Sequence, residues 1–163
     1  MGFSLFELII VLVIVGILAV IAIPNMNRFI ESNRLTAVTN DLIGDINFAR
    51  SEAVKRGSQI GICPASGSTC AATTNWGTAG WLIFVDSDSN SAWTATDTVL
   101  RTHESAPLNN SITGPANLLL LSRMGSVSAG SGDFTICNSR IKQKRTVSIN
   151  ATGRTLISQN GSC

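Results

Sequence analysis

Signatures of catalysis are scarce in this sequence. It contains a single histidine, His103, and lacks an H-E-x-x-H metal motif, a glycine-rich phosphate loop and a G-x-S-x-G nucleophile elbow. Charged residues make up only 13% of the chain, and the formal net charge of +2 is too small to indicate a partner. We therefore predict that the chain is not an enzyme and that it uses no cofactor, no metal and no small-molecule substrate.

The four cysteines do not have the spacing of a zinc site. Neither Cys63 with Cys70 nor Cys137 with Cys163 forms a C-x-x-C pair, which structural zinc sites usually need. Two disulfides fit better, and they indicate an oxidising compartment outside the cytoplasm. Four cysteines allow three pairings. We favour Cys63–Cys70 and Cys137–Cys163 because each closes a loop within one region of the sequence.

Apolar residues are concentrated in one N-terminal run. Residues 8–23 are all apolar or glycine, and the stretch that begins at Phe3 contains one charge, Glu7. About 20 helical residues span the hydrocarbon of a bilayer. No Lys or Arg precedes the run and no A-x-A site follows it, which favours a retained anchor over a cleaved signal peptide. We predict a transmembrane helix over residues 3–24.

Glu7 is out of place in this run, because a carboxylate in lipid is costly unless it finds a partner. Its position in the first helical turn gains a little from the helix dipole. One interpretation places Glu7 at the level of the lipid headgroups. The other pairs it with the N-terminal ammonium of a neighbouring subunit, which would also set the register between subunits, since unpaired buried charges are expensive.

The helical pattern continues beyond the apolar run. Apolar residues at spacings of three and four predict an amphipathic helix over residues 25–57. The stripe consists of Leu35, Val38, Leu42, Ile46, Ala49 and Ala53. Charged side chains lie mostly off this stripe, and Gly57 is expected to end the helix. Gly16 and Pro24 are expected to kink or locally melt it.

Residues 58–163 change to a β-strand pattern, with short β-branched and apolar runs between clusters of Gly, Asn, Asp and Ser. The predicted strands are residues 59–63, 80–85, 98–102, 117–122, 133–137, 146–150 and 154–158. Antiparallel pairing is expected because the gaps are too short for crossover helices. Residues 125–132 are predicted to be a flexible loop. The fold class is therefore α+β, a long N-terminal helix whose stripe covers a small antiparallel sheet.

An acidic segment follows one predicted strand. Asp86, Asp88, Asn90 and Asp97 match part of the oxygen spacing of a calcium loop, but the central glycine and the final bidentate glutamate are missing. The same residue types are usual in a turn after a strand, which is the interpretation we prefer. A catalytic role would need Asp86, Asp88 and His103 to converge in one cleft. We instead expect His103 at the solvent-exposed end of its strand.

A basic segment lies near the C-terminus. It comprises Arg140, Lys142, Lys144, Arg145 and Arg154. Alternation along a strand would place Arg140, Lys142 and Lys144 on one face, where they could contact DNA phosphates. A solvated face is the plainer interpretation, and both remain open.

The motif Gly2-Phe3-Ser4-Leu5-Phe6-Glu7 before a long apolar helix resembles the class III signal of type IV pilins and type II secretion pseudopilins. The resemblance implies that a prepilin peptidase cleaves between Gly2 and Phe3 and methylates the new N-terminus at Phe3. Glu7 would be the fifth residue of the mature chain, and Pro24 the helix-kink proline. Residues 1–2 would be a leader remnant. Family leaders usually carry basic residues, which implies either a start upstream or a short leader.

Internal motifs resemble the pseudopilin-H-like group, which includes FimU-type and FimT-type minor pilins and the type II secretion pseudopilin H. These motifs are Ala49-Arg50-Ser51-Glu52-Ala53, Ile62-Cys63-Pro64, Gly80-Trp81-Leu82-Ile83-Phe84-Val85-Asp86, Val99-Leu100-Arg101, Phe134-Thr135-Ile136-Cys137 and Gly153-Arg154. The resemblance covers nearly the whole chain and implies a pilin-like fold. Two disulfides at these positions are more similar to FimU-type minor pilins than to pseudopilin H.

The resemblance implies a structural subunit that is anchored in the inner membrane by one helix, with a periplasmic globular domain, and later enters an extracellular pilus. Its partners would be other minor and major pilins and the prepilin peptidase. The preferred expectation is a minor pilin in a priming complex at the filament tip. The alternatives are a FimT-like DNA-binding minor pilin for natural transformation and a type II secretion pseudopilin H. The FimT-type Gly-Arg-x-Arg tail corresponds to Gly153-Arg154-Thr155-Leu156, which lacks the second arginine.

Overall fold

A helix of 52 residues, α1 (Leu5–Arg56), runs through almost the first third of the chain. The structure is a computed structural model that describes residues 4–159 and 161–163. Gly57 ends the helix in the left-handed conformation, at φ 62° and ψ 27°, which glycine adopts without Cβ strain. The helix continues unbroken through Gly16 and Pro24, so the predicted local melting is not found there, while a bend at Pro24 stays a prediction.

Short strands follow the helix and pair into two antiparallel sheets. Their bounds are β1 Gln59–Ser66, β2 Thr69–Cys70, β3 Trp81–Asp86, β4 Thr98–His103, β5 Asn110–Thr113, β6 Leu119–Leu121, β7 Val127–Ala129, β8 Gly132–Asn138, β9 Gln143–Ile149 and β10 Thr155–Gln159. One sheet has the order β4-β3-β1-β6-β7, with β2 paired to β1. The other has the order β10-β9-β8-β5.

The α+β class and the antiparallel pairing are confirmed, and every predicted strand coincides with an observed one. Strands β2, β5 and β7 are additional. The prediction of a flexible loop over residues 125–132 is wrong, because β7 lies within it. Val127 pairs with Leu121 of β6, and its N–H donates to the carbonyl of Ala151 at 2.9 Å. The Gly- and Ser-rich composition of residues 125–132 gives a low preference for strand. It cannot reveal that neighbouring strands provide hydrogen-bond partners for this segment in the folded protein.

The core lies between the second half of α1 and the two sheets. All members of the predicted stripe are at most 3% exposed, from Leu35 to Ala53. Trp76, in the segment between β2 and β3, packs edge-on against Phe134 of β8, with ring centroids 4.8 Å apart. Only the second half of the helix is covered in this way, so the first half projects beyond the globular domain.

Both disulfides have the expected pairing, in which each bond closes a loop within one region of the sequence. Cys63–Cys70 closes the β1–β2 hairpin with Cα atoms 5.6 Å apart, and Cys137–Cys163 ties the C-terminus to β8 with Cα atoms 5.9 Å apart. Free cysteines are absent from the described residues. The second bond closes the longer loop, with a sequence separation of 26 against 7.

Replacing Cys137 and Cys163 together by Ala is expected to lower the free energy of unfolding by about 3.5 kcal/mol, because the unfolded chain regains the entropy of the open loop. Urea denaturation of the full chain in detergent measures the loss. The control is the wild type with both bonds reduced, which should lose more than the double variant. A loss below about 1 kcal/mol in the double variant would contradict the prediction.

Candidate assembly surface

The first half of α1 exposes apolar side chains in every direction. Between residues 5 and 30, its exposed large apolar side chains range from 41% to 79% exposure. The most apolar window of 18 residues has a mean hydropathy of 3.2, and by length and composition the helix is able to cross a membrane. An apolar helix without a polar face needs lipid or other apolar helices around it. This segment is therefore the candidate assembly surface.

Glu7 lies exposed in the first turn of α1, within this assembly surface. Along the helix, the next charged residue is Arg28, about 32 Å away at 1.5 Å per residue. A partner for the carboxylate therefore has to come from the chain's own N-terminus, from another chain or from solvent. Gly2 and Phe3 lie outside the described residues, so cleavage between them and the pairing of Glu7 stay predictions.

The structure divides the predicted basic face. Arg140 and Lys142 lie in the turn between β8 and β9, and Lys144 belongs to β9 itself. The prediction that these three share one strand face is wrong, because the backbone turns at residues 139–142 and Lys142 adopts φ 53°. Arg145 follows in β9, whereas Arg154 lies in the β9–β10 turn at the other end of that strand.

Asn138 builds the β8–β9 turn. Its Oδ1 accepts hydrogen bonds from the backbone N–H groups of Arg140 and Ile141, both at 3.1 Å. Its Nδ2 donates to Oε2 of Glu31 at 2.9 Å. One buried asparagine thus shapes the turn and fastens it to α1.

Glu31 is the helix side of this attachment, and its side chain is only 3% exposed. Besides the bond from Asn138, its Oε1 accepts from Arg34 Nη1 at 3.0 Å, and Arg140 Nη1 lies 3.9 Å from the same oxygen. The hydrogen bond from Asn138, helped by the charges of Arg34 and Arg140, outweighs burial and holds the pKa of Glu31 below its usual value.

This lowered pKa makes stability depend on pH. A carboxylate whose pKa is depressed by folding stabilises the protein above its unfolded pKa of about 4.3, and the stabilisation is lost as pH falls through the folded pKa. Glu31→Gln should therefore unfold at lower urea than the wild type at pH 7, and the difference should shrink below about pH 4. Urea midpoints measured between about pH 3 and 7 check this.

The matched control is Glu104→Gln, which neutralises an exposed carboxylate. It should leave the pH dependence close to that of the wild type, because an exposed carboxylate gains little from folding. If the difference between Glu31→Gln and the wild type stayed constant across the pH range, the ionised form of Glu31 would not be the stabilising species.

A second buried carboxylate, Asp45, joins α1 to the edge of the first sheet. Its side chain is 5% exposed. Trp81 Nε1–H donates to Oδ2 at 2.9 Å, and Arg101 Nη1 donates to Oδ1 at 2.8 Å. His103 Nδ1 lies 3.3 Å from Oδ2. Asp45 therefore holds β3 and the edge strand β4 on the helix.

Two ring contacts complete this cluster. The His103 ring stacks on Trp81, with centroids 4.0 Å apart and the planes 3° from parallel. The Arg101 guanidinium lies 3.9 Å from the ring centroid of Phe48, a cation–π distance. His103 does end β4 between two exposed residues, as expected, but this stacking leaves its own side chain only 30% exposed.

Charged side chains are expected to lie mostly off the apolar stripe, but three acidic residues of α1 are buried alongside it. Counted as whole residues, backbone included, Glu31, Asp45 and Glu52 are 2%, 4% and 8% exposed. They are fourteen and seven residues apart, and seven residues make nearly two helical turns, so they follow one line along the helix. That period is visible in the sequence, and it is the signal that sequence reasoning missed.

The acidic segment after β3 folds into a loop held by its own amides. The carboxyl oxygens of Asp86, Asp88 and Asp97 come within 4.8 Å of one another. The amides of Asn90 and Ser91 donate to Asp86 at 3.1 and 2.9 Å. Burial nevertheless raises the pKa of Asp86. The hydrogen bonds are those of a turn, as the sequence favours.

The acidic loop and His103 do not form a common site. Asp86 ends β3 opposite Gln59, whereas His103 pairs with Trp81 at the beginning of β3. The strand between them is about 16 Å long at 3.3 Å per residue. The convergence of Asp86, Asp88 and His103 that a catalytic role would need is therefore not present.

Most of the globular domain matches a known protein family. The family model described as type II transport protein GspH matches residues 38–153. The chain belongs to the GspH family. The matched region begins within the buried stripe of α1 and ends in the β9–β10 turn, so it takes in most of both sheets. No curated protein sequence matches this GspH-family chain.

Solved structures share its fold. In one crystal form, the type IV minor pilin FimU of Pseudomonas aeruginosa strain PAO1 has 22% identity and a TM-score of 0.60, and the match covers 83% of this chain and 98% of the crystallised FimU chain. In a second crystal form the identity is 19% and the TM-score 0.56, covering 78% and 98%. The predicted pilin-like fold is confirmed.

Proposed function

We propose that this GspH-family chain is a minor pilin, a membrane-anchored structural subunit that assembles through its N-terminal helix, and that it is not an enzyme. The observation that carries the proposal is the assembly surface on α1. Residues 8–23 are all apolar or glycine, and the exposed apolar side chains between residues 5 and 30 lie outside the core, although the globular domain already has a core of its own. A helix of this kind is built to be covered by lipid and then by other helices.

Glu7 supports assembly rather than anchoring alone. A helix that only had to cross a bilayer would gain nothing from a carboxylate in its apolar segment. Among packed helices, the same carboxylate can neutralise the N-terminal ammonium of an adjacent subunit, and a shifted register would leave both charges unpaired. The pairing therefore favours one axial position for each new subunit.

The finer proposal is a FimU-type subunit of the complex that primes the pilus and occupies its tip. A prepilin peptidase would cleave between Gly2 and Phe3 and methylate Phe3, with the globular domain on the periplasmic side of the inner membrane. The shared fold with FimU and the two disulfides support this assignment. A type II secretion pseudopilin is the second candidate, favoured by the description of the matching family.

Affinity purification of the tagged full chain from cross-linked cell envelopes separates these two functions. A minor pilin should retain pilus subunits and appear in the sheared pilus fraction, as detected by mass spectrometry. A pseudopilin should retain secretion subunits instead. A chain that stays a freely soluble monomer with neither set of partners would contradict both functions.

A FimT-like contact with DNA receives less support from the geometry. The structure separates Arg154 from the other basic residues by the length of β9. If DNA is bound, replacing Lys142, Lys144 and Arg145 by Gln should abolish mobility shifts at low salt, whereas Arg154→Gln should have little effect. An unmodified chain that gives no shift at low salt would exclude this function.

A further inference from the structure

We propose that the end of the globular domain nearest the apolar half of α1 contacts the headgroups of anionic lipids while α1 spans the membrane. This contact would fix the orientation of the domain relative to the bilayer before assembly. The inference rests on the proposed membrane anchoring. The surface, called here the basic end, is defined by Arg28, Arg34, Arg140, Lys142, Lys144 and Arg145.

The basic end lies close to the membrane because of its position along α1. The apolar run ends at Ile23. At 1.5 Å per residue, Arg28 follows about 7.5 Å later and Glu31 about 12 Å later. The headgroup layer on each side of a bilayer is roughly 5–8 Å thick. Arg28 is therefore at the height of the headgroups, and the level of Glu31 is just above them.

The fold brings the β8–β9 turn down to this height. Asn138 and Arg140 approach Glu31 at 2.9 and 3.9 Å. A surface cavity of about 260 Å³ is lined by Arg28 of the helix together with Arg140 and Ile141 of the turn. Cations that are far apart in the sequence thus border one recess at the lower edge of the domain.

The charge of the basic end is almost unopposed. Residues 24–35 and 138–145 together contain six cationic side chains and one acidic side chain, Glu31. Glu31 is buried and already engaged by Arg34 and Asn138, so it offers no competition at the surface. Lys142 is exposed at the tip of the turn. The recess therefore attracts phosphate groups.

The acidic loop lies at the opposite end of the domain. Asp86 pairs in register with Gln59, which follows the C-terminal end of α1 by three residues. The three clustered carboxylates are consequently far from the bilayer while the basic end is near it. This separation of the carboxylates from the basic end orients the domain with its basic end toward an anionic surface.

An exposed apolar side chain accompanies the basic end. Leu108 is 84% exposed in the loop before β5, and the side-chain Nδ2 of the adjacent Asn109 donates to Oε1 of Glu31 at 3.4 Å. Leu108 is thus next to the basic end at the same level of the helix. Basic residues beside an exposed apolar residue are typical of surfaces that rest in the interfacial layer of a membrane.

Lipid fits this location better than DNA does. The basic end lies within roughly one Debye length, about 8 Å at physiological salt, of the bilayer surface. A helix tilt of about 20°, average for transmembrane helices, would bring one side of the domain nearer still. A DNA duplex would have to enter the narrow space between the domain and the membrane, where lipid phosphates are already present.

Hydrogen exchange of the full chain in nanodiscs tests the inference. Nanodiscs of phosphatidylglycerol with phosphatidylcholine are compared with nanodiscs of phosphatidylcholine alone. Amides of residues 139–145 should exchange at least about 5-fold more slowly over the anionic lipid, and the difference should decline as salt is raised. Equal exchange over the two lipids would overturn the inference.

The test variant replaces Arg28, Lys142 and Lys144 by Gln, and it should lose the lipid-dependent protection. The matched control replaces Lys55, Arg123 and Arg154 by Gln, removing the same charge from the far end of the domain. The control should keep the protection. If both variants lost it equally, net charge rather than the basic end would be responsible, and the inference would fail.

Further arms separate the sources of phosphate. Inorganic phosphate or a DNA duplex is added to the chain in phosphatidylcholine nanodiscs. Protection of residues 139–145 by either of these, without any effect of anionic lipid, would overturn the lipid contact in favour of free phosphate or DNA. Flotation of the nanodiscs shows whether the chain has inserted into the bilayer, which separates failure of the anchoring from failure of the lipid contact. A chain that never inserts contradicts the proposed anchoring as well, whereas an inserted chain without lipid-dependent protection contradicts this inference alone.

Discussion

Glu7→Ala is expected to reduce incorporation of the chain into filaments by roughly 100-fold or more, because a subunit amine buried among apolar helices would lose its counter-charge. Glu7 is the only charged side chain between Leu5 and Arg28, so no neighbour on α1 can replace it. The measurement is the amount of tagged chain in the sheared pilus fraction relative to the amount in the membrane fraction.

Glu7→Gln is the matched control for size and polarity. It keeps the length of the side chain but removes the charge, and it should be nearly as defective as Glu7→Ala if charge pairing is what matters. Both variants should remain in the membrane, because the apolar run from residue 8 is intact. Normal recovery of Glu7→Ala with its partner subunits would show that the carboxylate is a bystander at the headgroup level.

Asp45→Ala is expected to lower the free energy of unfolding by about 3 kcal/mol, because it leaves the buried indole N–H of Trp81 without an acceptor and removes the anchor of Arg101. Arg101 is half-exposed and can turn to solvent, so its loss is the smaller part. The larger part comes from Trp81, which has no exposed surface. Urea denaturation of the full chain measures the sum.

Asp45→Asn separates the hydrogen bond from the charge. Its amide oxygen can still accept from Trp81, so the variant should lose clearly less stability than Asp45→Ala. Asp41→Ala, one helical turn earlier and exposed, is the positional control and should change stability little. If Asp45→Ala cost less than about 1 kcal/mol, the cluster would not hold β4 on the helix.

The elements that the sequence predicts correctly are those with a local period. The stripe from Leu35 to Ala53 repeats with the helical spacing, and all of it is buried. The predicted strand at residues 80–85 contains the continuous apolar run 81–85 with turn residues after it, and it corresponds to β3. In both cases the pattern of a few neighbouring residues predicts both the element and its buried side chains. These predictions therefore do not depend on residues that are distant in the sequence.

The features that sequence reasoning misses depend on distant partners. Asp45 bonds to Arg101 across 56 positions, and Glu31 bonds to Asn138 across 107. A charged residue beside an apolar stripe is normally solvated, and only the fold reveals the donors that make burial tolerable. The basic face fails for a related reason, since strand alternation ends where Asn138 turns the chain.

The continuity of α1 has a mechanical consequence. The projecting half and the buried half belong to one unbroken helix, so a pull on the projecting half is carried along the helix axis into the stripe between Leu35 and Ala53. That stripe lies against both sheets, and Glu31 and Asp45 add polar attachments between the helix and the sheets. Tension along the helix axis therefore loads all contacts between α1 and the sheets at the same time and does not break them one by one. The rate of unfolding of a subunit under force should consequently be low.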